Sequence, residues 1–469
     1  MISALASALI PGLGQLRNGQ RRKGIILISL SAVIVAITGF LVWRRPLTLL
    51  TWGVQPTALG WLLIGNGALL SFRAYAAGDA LVNSVERGAT GRARATGAAF
   101  LGFVAAGLLV LPHAITGYGL ILDKDLLTAV FAPSPDPTAP TTMQPIATLP
   151  TGGDPSSTLA PATSTTTTTI PIRLWEGTER LNVLLLGGDA GVGRTGVRTD
   201  TIILASLDPE TGDVALFGVP RNIAQVPLPE SLGIWSCDCF PSIVNELWDY
   251  GVRNPERFPG SRPSGAAALI AGVEELTGVP IHHFALVNLV GFVDLIDAIG
   301  GVEITVTERI FDADYPHEDG STEVIDLAPG TYDMDGHLAL AYARTREGSD
   351  DYNRMGRQRC LLQAVAAQAD PVSVARSFAN ITNTIKNNLL TDIPLERLPD
   401  LIQIIPKLDP ARIVAVGFEP PDYTGPRTAD FYPTPDLAAI QGVVSTVLKL
   451  PAADAIAALG LDQLSQECA

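Results

Sequence analysis

Three long stretches without charged residues lie within the first 131 residues, and they constrain the fold more than any other feature of the chain. They run from Gly24 to Trp43, from Leu47 to Phe72 and from Ala95 to Leu122. Each can supply the roughly 20 helical residues that a bilayer core requires. We therefore predict that residues 1–131 form a membrane region with three transmembrane helices.

The basic residues around these stretches predict their orientation. The loop between the first two stretches carries only Arg44 and Arg45, whereas the segment before the first and the loop after the second are richer in Lys and Arg: Arg17, Arg21, Arg22, Lys23, Arg73, Arg87, Arg92 and Arg94. By the positive-inside rule the N-terminus is cytoplasmic and the chain after Leu122 is extracellular. We expect a multi-pass protein of the cell membrane.

The composition changes after the last stretch. Residues 132–172 are rich in Pro, Thr and Ser and include an unbroken run from Thr165 to Thr169. Such a segment lacks the apolar residues for a core and predicts an extended extracellular linker. Residues 173–450 are long enough for one large α/β domain, and residues 451–469 are expected to be a C-terminal tail.

Charge is distributed unevenly and narrows the choice of ligand. Residues 1–131 carry eleven Lys and Arg against four Asp and Glu, a net charge of +7. The whole chain carries −15, so the rest of the chain carries about −22. That part disfavours nucleic acid as a partner. Five arginines nevertheless crowd into one segment, namely Arg344, Arg346, Arg354, Arg357 and Arg359. Guanidinium groups grip phosphate oxygens in pairs, so the cluster indicates a small phosphorylated ligand.

The extracellular domain opens with a predicted meander of three strands. An apolar strand from Leu181 to Gly187 precedes a glycine-rich loop, and β-rich segments follow at 200–208 and 214–219 with a turn between them. The loop resembles nucleotide-binding motifs, but those require a helix directly after it, and here a strand follows. We therefore set a nucleotide site aside.

Polar residues stand at the ends of these strands. Asp189 follows the first strand, Arg198 and Asp200 precede the second, and Arg221 and Asn222 follow the third. Neighbouring strands bring such ends together. Two carboxylates together with substrate phosphate oxygens are the usual way to hold Mg²⁺, so Asp189 and Asp200 are candidate metal ligands, although surface ion pairing would also account for them.

Six motifs in fixed order give the chain a specific resemblance. They are Leu186 to Asp189, Arg198 to Thr201, Pro220 with Arg221, Asn288 to Val302, Ala339 to Arg346, and Asp351 to Gln358. Over residues 181 to about 370 the chain resembles the LytR-CpsA-Psr family, which implies an α/β fold with a mixed central β-sheet flanked by helices. One residue departs from the pattern, because the family usually has Asp where this chain has Asn222.

The resemblance implies a membrane-anchored phosphotransferase. Such an enzyme moves a glycopolymer from a polyprenyl-pyrophosphate carrier onto peptidoglycan and releases polyprenyl phosphate, and a pyrophosphatase side activity would be compatible with its site. Mg²⁺, or Mn²⁺, would be held by Asp189 and Asp200, and Asp200 is the first candidate for the proton acceptor. The implied pyrophosphate ligands are Arg198, Arg221, Arg344, Arg346, Arg354 and Gln358, with Asp200, Arg221, Arg344 and Arg346 as the catalytic set.

A polyprenyl carrier also needs an apolar groove. The segment 279–288 alternates like a strand, and the segment 289–299 repeats apolar residues at helical spacing. We expect most of these side chains to form core, with some in contact with lipid.

The cysteines lie in the predicted extracellular domain, where disulfides are chemically allowed. Four cysteines, Cys237, Cys239, Cys360 and Cys468, permit three pairings. A bridge between Cys237 and Cys239 would close a very tight ring. We therefore favour each of these two pairing with one of Cys360 and Cys468, so that a bridge at Cys360 braces the arginine-rich helix.

Three classes of function remain open. A phosphotransferase explains the paired carboxylates and the arginines together. A non-catalytic module that binds polyprenyl phosphate or wall polymer would need the membrane anchor and linker but no metal site. A cell-envelope regulator would need more cytoplasmic chain than the topology allows. The polymer itself is left open among teichoic acid, arabinogalactan and capsular polysaccharide.

Overall fold

The computed structural model describes residues 2–85, 92–130, 180–189, 197–317, 321–345, 350–368, 388–460 and 468. The chain divides into two compact units. One comprises residues 1–132, 374–382 and 394–403, and the other comprises residues 133–373, 383–393 and 404–469. The predicted linker, residues 132–172, lies outside the described residues.

The N-terminal unit contains six helices between residues 2 and 130. They are α1 Ile2–Leu9, α2 Leu13–Arg17, α3 Arg21–Arg44, α4 Pro46–Gly53, α5 Pro56–Val85 and α6 Arg92–Val130. Within the part of the chain that is described, two segments are long and apolar enough to cross a membrane: Arg21–Arg44, with a mean hydropathy of 2.8, and Val104–Ile121, with 1.7. The region is thus suited to anchoring the protein in a membrane.

The predicted stretch from Leu47 to Phe72 is not one continuous helix. It is divided between α4 and α5, and α5 begins at Pro56. Proline has no backbone N–H to donate within a helix, and its ring disfavours helical geometry in the residue before it. Residues 56–72 of the predicted second span lie in α5, which is not one of the two segments named above, and three transmembrane helices stay a prediction.

The second unit contains twelve strands among its described residues. They are β1 Leu181–Gly188, β2 Thr199–Leu207, β3 Val214–Gly218, β4 His283–Asn288, β5 Val302–Val306, β6 Ile310–Pro316, β7 Thr322–Leu327, β8 Gly330–Met334, β9 Leu389–Thr391, β10 Ile413–Gly417, β11 Thr424–Arg427 and β12 Pro433–Pro435. Further helices along the chain are α7 Leu247–Arg253, α8 Ser264–Thr277, α9 Leu289–Ala298, α10 Gly336–Arg344, α11 Asp351–Gln368, α12 Leu398–Ile404, α13 Leu437–Lys449 and α14 Ala452–Leu459.

Six strands form one mixed sheet in the order β10-β3-β2-β1-β4-β9. The meander β1-β2-β3 is antiparallel, as its sequence predicted, whereas β4 runs parallel to β1 and β10 parallel to β3. Two smaller antiparallel pairs, β5 with β8 and β6 with β7, lie in the chain between α9 and α10. The expected mixed central sheet flanked by helices is confirmed.

Alternation along the strands gives the sheet two buried faces. Leu184 and Leu204 point to one face, where they pack with α7, α8 and α13 in the largest core. Leu185 and Ile203 point to the other, where Leu362 of α11 packs. Because successive side chains of a strand alternate sides, a run of apolar residues serves both layers.

The C-terminal residues complete this fold. Strand β10 pairs with β3 at the edge of the large sheet. Within the segment expected to be a tail, α14 contributes Ala452 and Ala455 to the largest core. The sheet and its covering layer therefore depend on the chain beyond residue 400.

The disulfides differ from the pairing that we favoured. Cys237 bonds to Cys239, with their Cα atoms 5.1 Å apart, and Cys360 bonds to Cys468. The objection to the small ring was wrong because Asp238 has a positive φ of 47°, which turns the backbone so that the two flanking side chains meet. Cys360 lies on α11, so a bridge is attached to the arginine-rich helix, but it leads to Cys468 and not to Cys237 or Cys239.

Candidate active site

The position of Asp200 results from an irregularity in the β1–β2 ladder. Gly187 pairs with Thr201 and Gly188 pairs with Thr199, so Asp200 is the extra residue between them. Such a bulge re-aims a side chain at the end of a ladder. A Cβ atom on Gly187 would lie 2.9 Å from Cβ of Thr201, so the close approach of the two strands here requires glycine.

Asp189 lies beside this bulge. Its backbone N–H donates to the carbonyl of Arg198 at 3.0 Å, and its Oδ1 accepts from the backbone N–H of Arg198 at 2.9 Å. The carboxylate therefore fixes the start of β2, from which Asp200 projects. Arg198 itself is exposed and does not line the cavity described below.

Two arginines and two aspartates form one ion-pair network. Arg221 binds Oδ1 of Asp200 at 2.8 Å and Oδ1 of Asp351 at 3.1 Å. Arg354 binds Oδ2 of Asp351 at 3.1 Å and donates to the backbone carbonyl of Asp200 at 3.1 Å. Asn245 donates to Oδ1 of Asp200 at 3.3 Å. The network ties β2, the loop after β3 and the first turn of α11 together.

The network keeps Asp200 ionised. Burial by itself would raise the pKa of Asp200, but the hydrogen bond and charge of Arg221, aided by Asn245 and Arg354, hold that pKa below its usual value. For Arg221 burial acts to lower the pKa, yet the two carboxylates leave it raised. The pKa of Arg354 is lowered, chiefly because that side chain is the most deeply buried of the four.

Arg344 comes from a different element, the last turn of α10. Its guanidinium lies 5.7 Å from the ring centre of Tyr315, and its Nη1 donates to the hydroxyl of Tyr315 at 3.4 Å. Gln358 of α11 donates to the backbone carbonyl of Ala343 at 3.3 Å. These contacts join α10 to α11 beside the network. Arg346, which we predicted to bind pyrophosphate, lies outside the described residues.

The other two arginines of the cluster have structural partners. Arg357 donates to the carbonyls of Tyr342, at 2.7 Å, and of Thr345, both at the C-terminal end of α10. Arg359 pairs with Glu419 at 3.1 Å. Asn222, where the family has Asp, does not line the cavity. Burial raises the pKa of Tyr352, and a hydrogen bond from the side chain of Asn222 acts in the opposite direction.

A cavity of about 340 Å³ lies next to the network. Its polar wall consists mainly of Asp189, Asp200, Arg221, Arg344, Arg354 and Gln358. Its apolar wall comes from β1, β2, β4, α9, α10 and α11 and includes Leu185, Ile203, Ala285, Val287, Phe292, Leu295, Ile296, Leu340, Leu361, Leu362 and Val365. The cavity thus offers two chemically different surfaces to one ligand.

The same helix and strands contribute to both walls, first with charged residues and then with apolar ones. On α11 the lining residues change from Arg354 and Gln358 to Leu362 and Val365, one or two turns later. On the β1–β2 pair they change from Asp200 at the strand end to residues of the strand interiors. The cavity is therefore charged at one end and apolar at the other.

From the sequence, no role was predicted for three residues that contact the predicted site residues. Asp351 bridges Arg221 and Arg354, and its signal was its spacing of three residues before Arg354, which brings two side chains together on a helix. Asn245 and Tyr315 contact Asp200 and Arg344 from distant segments. No local pattern marks these last two, because only the tertiary fold brings them to the site.

Comparison with known proteins gives consistent relatives. The model of the LytR_cpsA_psr family matches residues 151–430. A protein of Bacillus cereus named polyisoprenyl-teichoic acid–peptidoglycan teichoic acid transferase TagU is 27% identical over 225 residues, which are 48% of this chain and 64% of that protein. A probable cell wall biosynthesis protein of Corynebacterium glutamicum, LcpB, is 31% identical over 215 residues, 45% of this chain and 43% of that protein.

Among solved structures, the crystal structure of Bacillus subtilis TagV aligns with a TM-score of 0.44 at 23% identity, over 58% of this chain and 96% of that chain. The chain spans less than two thirds of the length of these curated relatives.

Proposed function

Because the chain belongs to the LytR-CpsA-Psr family, we propose that it is a membrane-anchored transferase of a cell-wall glycopolymer. In this proposal the polymer arrives on a polyprenyl-pyrophosphate carrier and is joined to peptidoglycan outside the cell. The names of the relatives, a teichoic acid transferase and a cell wall biosynthesis protein, support the general class.

The proposal rests on one observation: the cavity has one charged wall and one apolar wall. A polyprenyl pyrophosphate likewise joins a charged pyrophosphate to an apolar prenyl chain. A cavity of about 340 Å³ is at the lower end for ligand sites, so it would take the part of the prenyl chain next to the pyrophosphate. Arg221, Arg344 and Arg354 would then meet the phosphate oxygens with charge-assisted hydrogen bonds.

The reaction replaces a phosphoanhydride bond with a phosphodiester bond. A hydroxyl oxygen of peptidoglycan forms a bond to the phosphorus next to the sugar and its proton passes to solvent, while the bond from that phosphorus to the bridging oxygen breaks and polyprenyl phosphate leaves. Most of the catalysis in such a transfer is positioning and neutralisation of charge. The three arginines supply positive charge where the leaving phosphate gains negative charge.

The residues at the charged end fit a divalent cation. Asp189 and Asp200 both line the cavity, and carboxylate oxygens are the ligands that Mg²⁺ prefers. Within the described residues, both hydrogen bonds to the Asp200 carboxylate are made to Oδ1. When bound there, Mg²⁺ or Mn²⁺ would neutralise phosphate charge. The lowered pKa of Asp200 suits it to hold a cation better than to accept a proton.

The membrane anchor and topology belong to the same proposal. Two helices of the N-terminal unit are suited to crossing a bilayer. The distribution of Lys and Arg, with a third span in α5, would bring the catalytic unit to the extracellular side, where peptidoglycan lies. The linker would then leave that unit within reach of a carrier embedded in the membrane.

A transfer assay tests the proposal. The full chain is incubated with a lipid-linked glycopolymer and peptidoglycan, and both polyprenyl phosphate and polymer-bearing peptidoglycan are measured, with Mg²⁺ and with EDTA. We expect both products from the wild type, and neither from D189N, from D200N or in EDTA. Asp326→Asn, the same change at an exposed position on β7, is the matched control and should leave the yield unchanged.

The outcomes separate the parts of the proposal. Tight binding of the lipid-linked polymer with no release of polyprenyl phosphate by the wild type would indicate a binding module. Release that persists in EDTA and in both Asn variants would contradict the metal and leave the arginines to act alone.

A further inference from the structure

Away from the cavity, two histidines and one glutamate converge. Nε2 of His317 lies 3.5 Å from Oε1 of Glu323, and Nε2 of His337 approaches the same oxygen more closely. One ligand atom from each residue lies within 4.8 Å of the other two. The imidazole rings are stacked, with their centres 5.2 Å apart and their planes 6° apart. The chain contains five histidines, and two of them meet here.

The fold brings these residues together from three segments. Strands β6 and β7 form a hairpin in which Tyr315 pairs with Glu323, and the backbone N–H of His317 donates to the carbonyl of Ser321 at 2.8 Å. Residues opposite each other in such a pair share a face, and so do residues two apart on one strand. Tyr315, His317 and Glu323 therefore lie on one face of the hairpin, and His337 from the first turn of α10 packs against it.

The donor set is that of a transition metal. Two imidazole nitrogens and one carboxylate oxygen are a known ligand set of zinc sites that keep a fourth position open. Nitrogen ligands favour Zn²⁺, whereas Mg²⁺ and Ca²⁺ prefer oxygen alone. The side chains of His317, Glu323 and His337 are 34%, 33% and 42% exposed, so an ion can reach them from solvent and can keep a water ligand.

The distances are close to those of a bound site. Ligand atoms about 2.0–2.2 Å from a tetrahedral zinc ion lie roughly 3.3–3.6 Å from one another. The separation of 3.5 Å between His317 and Glu323 already falls in that range. The other two pairs, which His337 makes with Glu323 and with His317, would have to enter that range by rotation of the side chains, whose ligand atoms already lie within 4.8 Å of one another.

We propose that His317, Glu323 and His337 bind one Zn²⁺-class ion, separate from the cation proposed at Asp189 and Asp200. The ion would clamp the β6–β7 hairpin to the first turn of α10. Helix α10 carries Arg344 at its other end, and the ring of Tyr315 contacts both His337, with ring centres 6.1 Å apart, and Arg344. The clamp would thus hold the face of the hairpin on which Arg344 rests.

Zinc binding by the full chain tests this inference. The protein, purified in detergent without a histidine tag, is titrated with Zn²⁺ in a large excess of Mg²⁺, which occupies sites made of oxygen ligands alone. We expect one Zn²⁺ per chain and, with Co²⁺ in its place, the intense visible absorption of a four-coordinate ion. His337→Ala and His317→Ala should weaken binding by more than the roughly 10–100-fold that loss of an outer-shell partner costs.

Matched variants distinguish ligation from folding. Glu323→Gln keeps the shape of the side chain but loses its charge, and it should also bind Zn²⁺ more weakly. Asp326→Asn makes the equivalent change three residues along β7, where the carboxylate pairs with Arg309 at 2.7 Å, and should bind as the wild type does. Zn²⁺ should raise the thermal midpoint of the wild type and of Asp326→Asn, because a ligand that binds only the folded state stabilises it.

Either of two results would overturn the inference. One is a wild-type chain that takes up no Zn²⁺ in excess Mg²⁺, which would leave the cluster as a hydrogen-bonded group only. The other is equal affinity in wild type and Glu323→Gln, with both folded by circular dichroism, which would assign the ion to another part of the chain. Neither result bears on the transfer assay, so this inference can fail while the proposed function stands.

Discussion

Helix α11 carries three arginines of the sequence cluster on different faces, and these arginines have different partners. Arg354 and Gln358, four residues apart and so on one face, line the cavity. Arg357 and Arg359 point elsewhere, to the end of α10 and to Glu419. A cluster of arginines in sequence is therefore not one functional unit. The position of each arginine around the helix axis decides which guanidinium lines the cavity and which one binds neighbouring elements of the fold.

The largest effect is expected for Arg354→Ala. Arg354 is 5% exposed and binds both Asp351 and the backbone carbonyl of Asp200, so its removal takes from Asp351 one of its two arginine partners and from that carbonyl the Arg354 donor. We expect a loss of about 3 kcal/mol in the free energy of unfolding and loss of turnover as well. Denaturant unfolding of the full chain checks this, and unchanged stability would contradict the role of Arg354 in the network.

Arg344→Ala should affect the ligand without affecting the fold. Among the described residues its partners are the ring and the hydroxyl of Tyr315, and they do not include a buried carboxylate. We expect binding of a polyprenyl-pyrophosphate analogue to weaken by about 1.5–3 kcal/mol, with stability near that of the wild type. Arg344→Lys should recover only part of the affinity, because Lys cannot bind two oxygens in a plane. Equal affinity in all three proteins would show that Arg344 does not meet the ligand.

Arg357→Ala should show the opposite pattern. Its guanidinium satisfies backbone carbonyls at the C-terminal end of α10, which otherwise have no partner in the helix. We expect the free energy of unfolding to fall by about 1–3 kcal/mol and ligand affinity to change less than in Arg344→Ala. Isothermal titration beside denaturant unfolding separates the two. A loss of affinity as large as that in Arg344→Ala would show that Arg357 acts on the ligand and not only on the fold.

A smaller effect is expected from pH. The pKa of Asp200 is lower in the folded chain than in the unfolded chain, so its ionised form stabilises the fold. That contribution is present above the unfolded pKa of about 3.9 and is lost as the pH falls through the lower, folded pKa. The stability difference between wild type and Asp200→Asn should therefore shrink as the pH falls below about 4. A constant difference across pH 3–7 would contradict the ion pair with Arg221.

The sequence predicted the framework of the site better than its details. The meander was recognisable because three apolar strands separated by a short turn allow little else, and this was enough to bring Asp189, Asp200 and Arg221 to one edge. The bulge that aims Asp200 could not be recognised from the sequence, because it depends on how Gly187 and Gly188 pair with β2. Asp351 was quoted in a motif without a role, since its partner Arg221 is 130 residues away.

The favoured disulfide pairing was wrong because it was drawn from spacing alone. The backbone conformation at Asp238 turns the chain so that Cys237 and Cys239 meet. Spacing along the sequence carries no information about such a turn.

The most direct test of the account measures whether the charged and apolar walls act on one ligand. The affinity of the full chain for a polyprenyl pyrophosphate is compared with that for inorganic pyrophosphate and for the same polyprenol without phosphate, each in Mg²⁺. We expect the intact lipid to bind more tightly than either part, and we expect Arg344→Ala to lower the affinity for the intact lipid and for pyrophosphate but not for the polyprenol. Pyrophosphate that binds as tightly as the lipid, or a lipid affinity that Arg344→Ala leaves unchanged, would contradict this expectation.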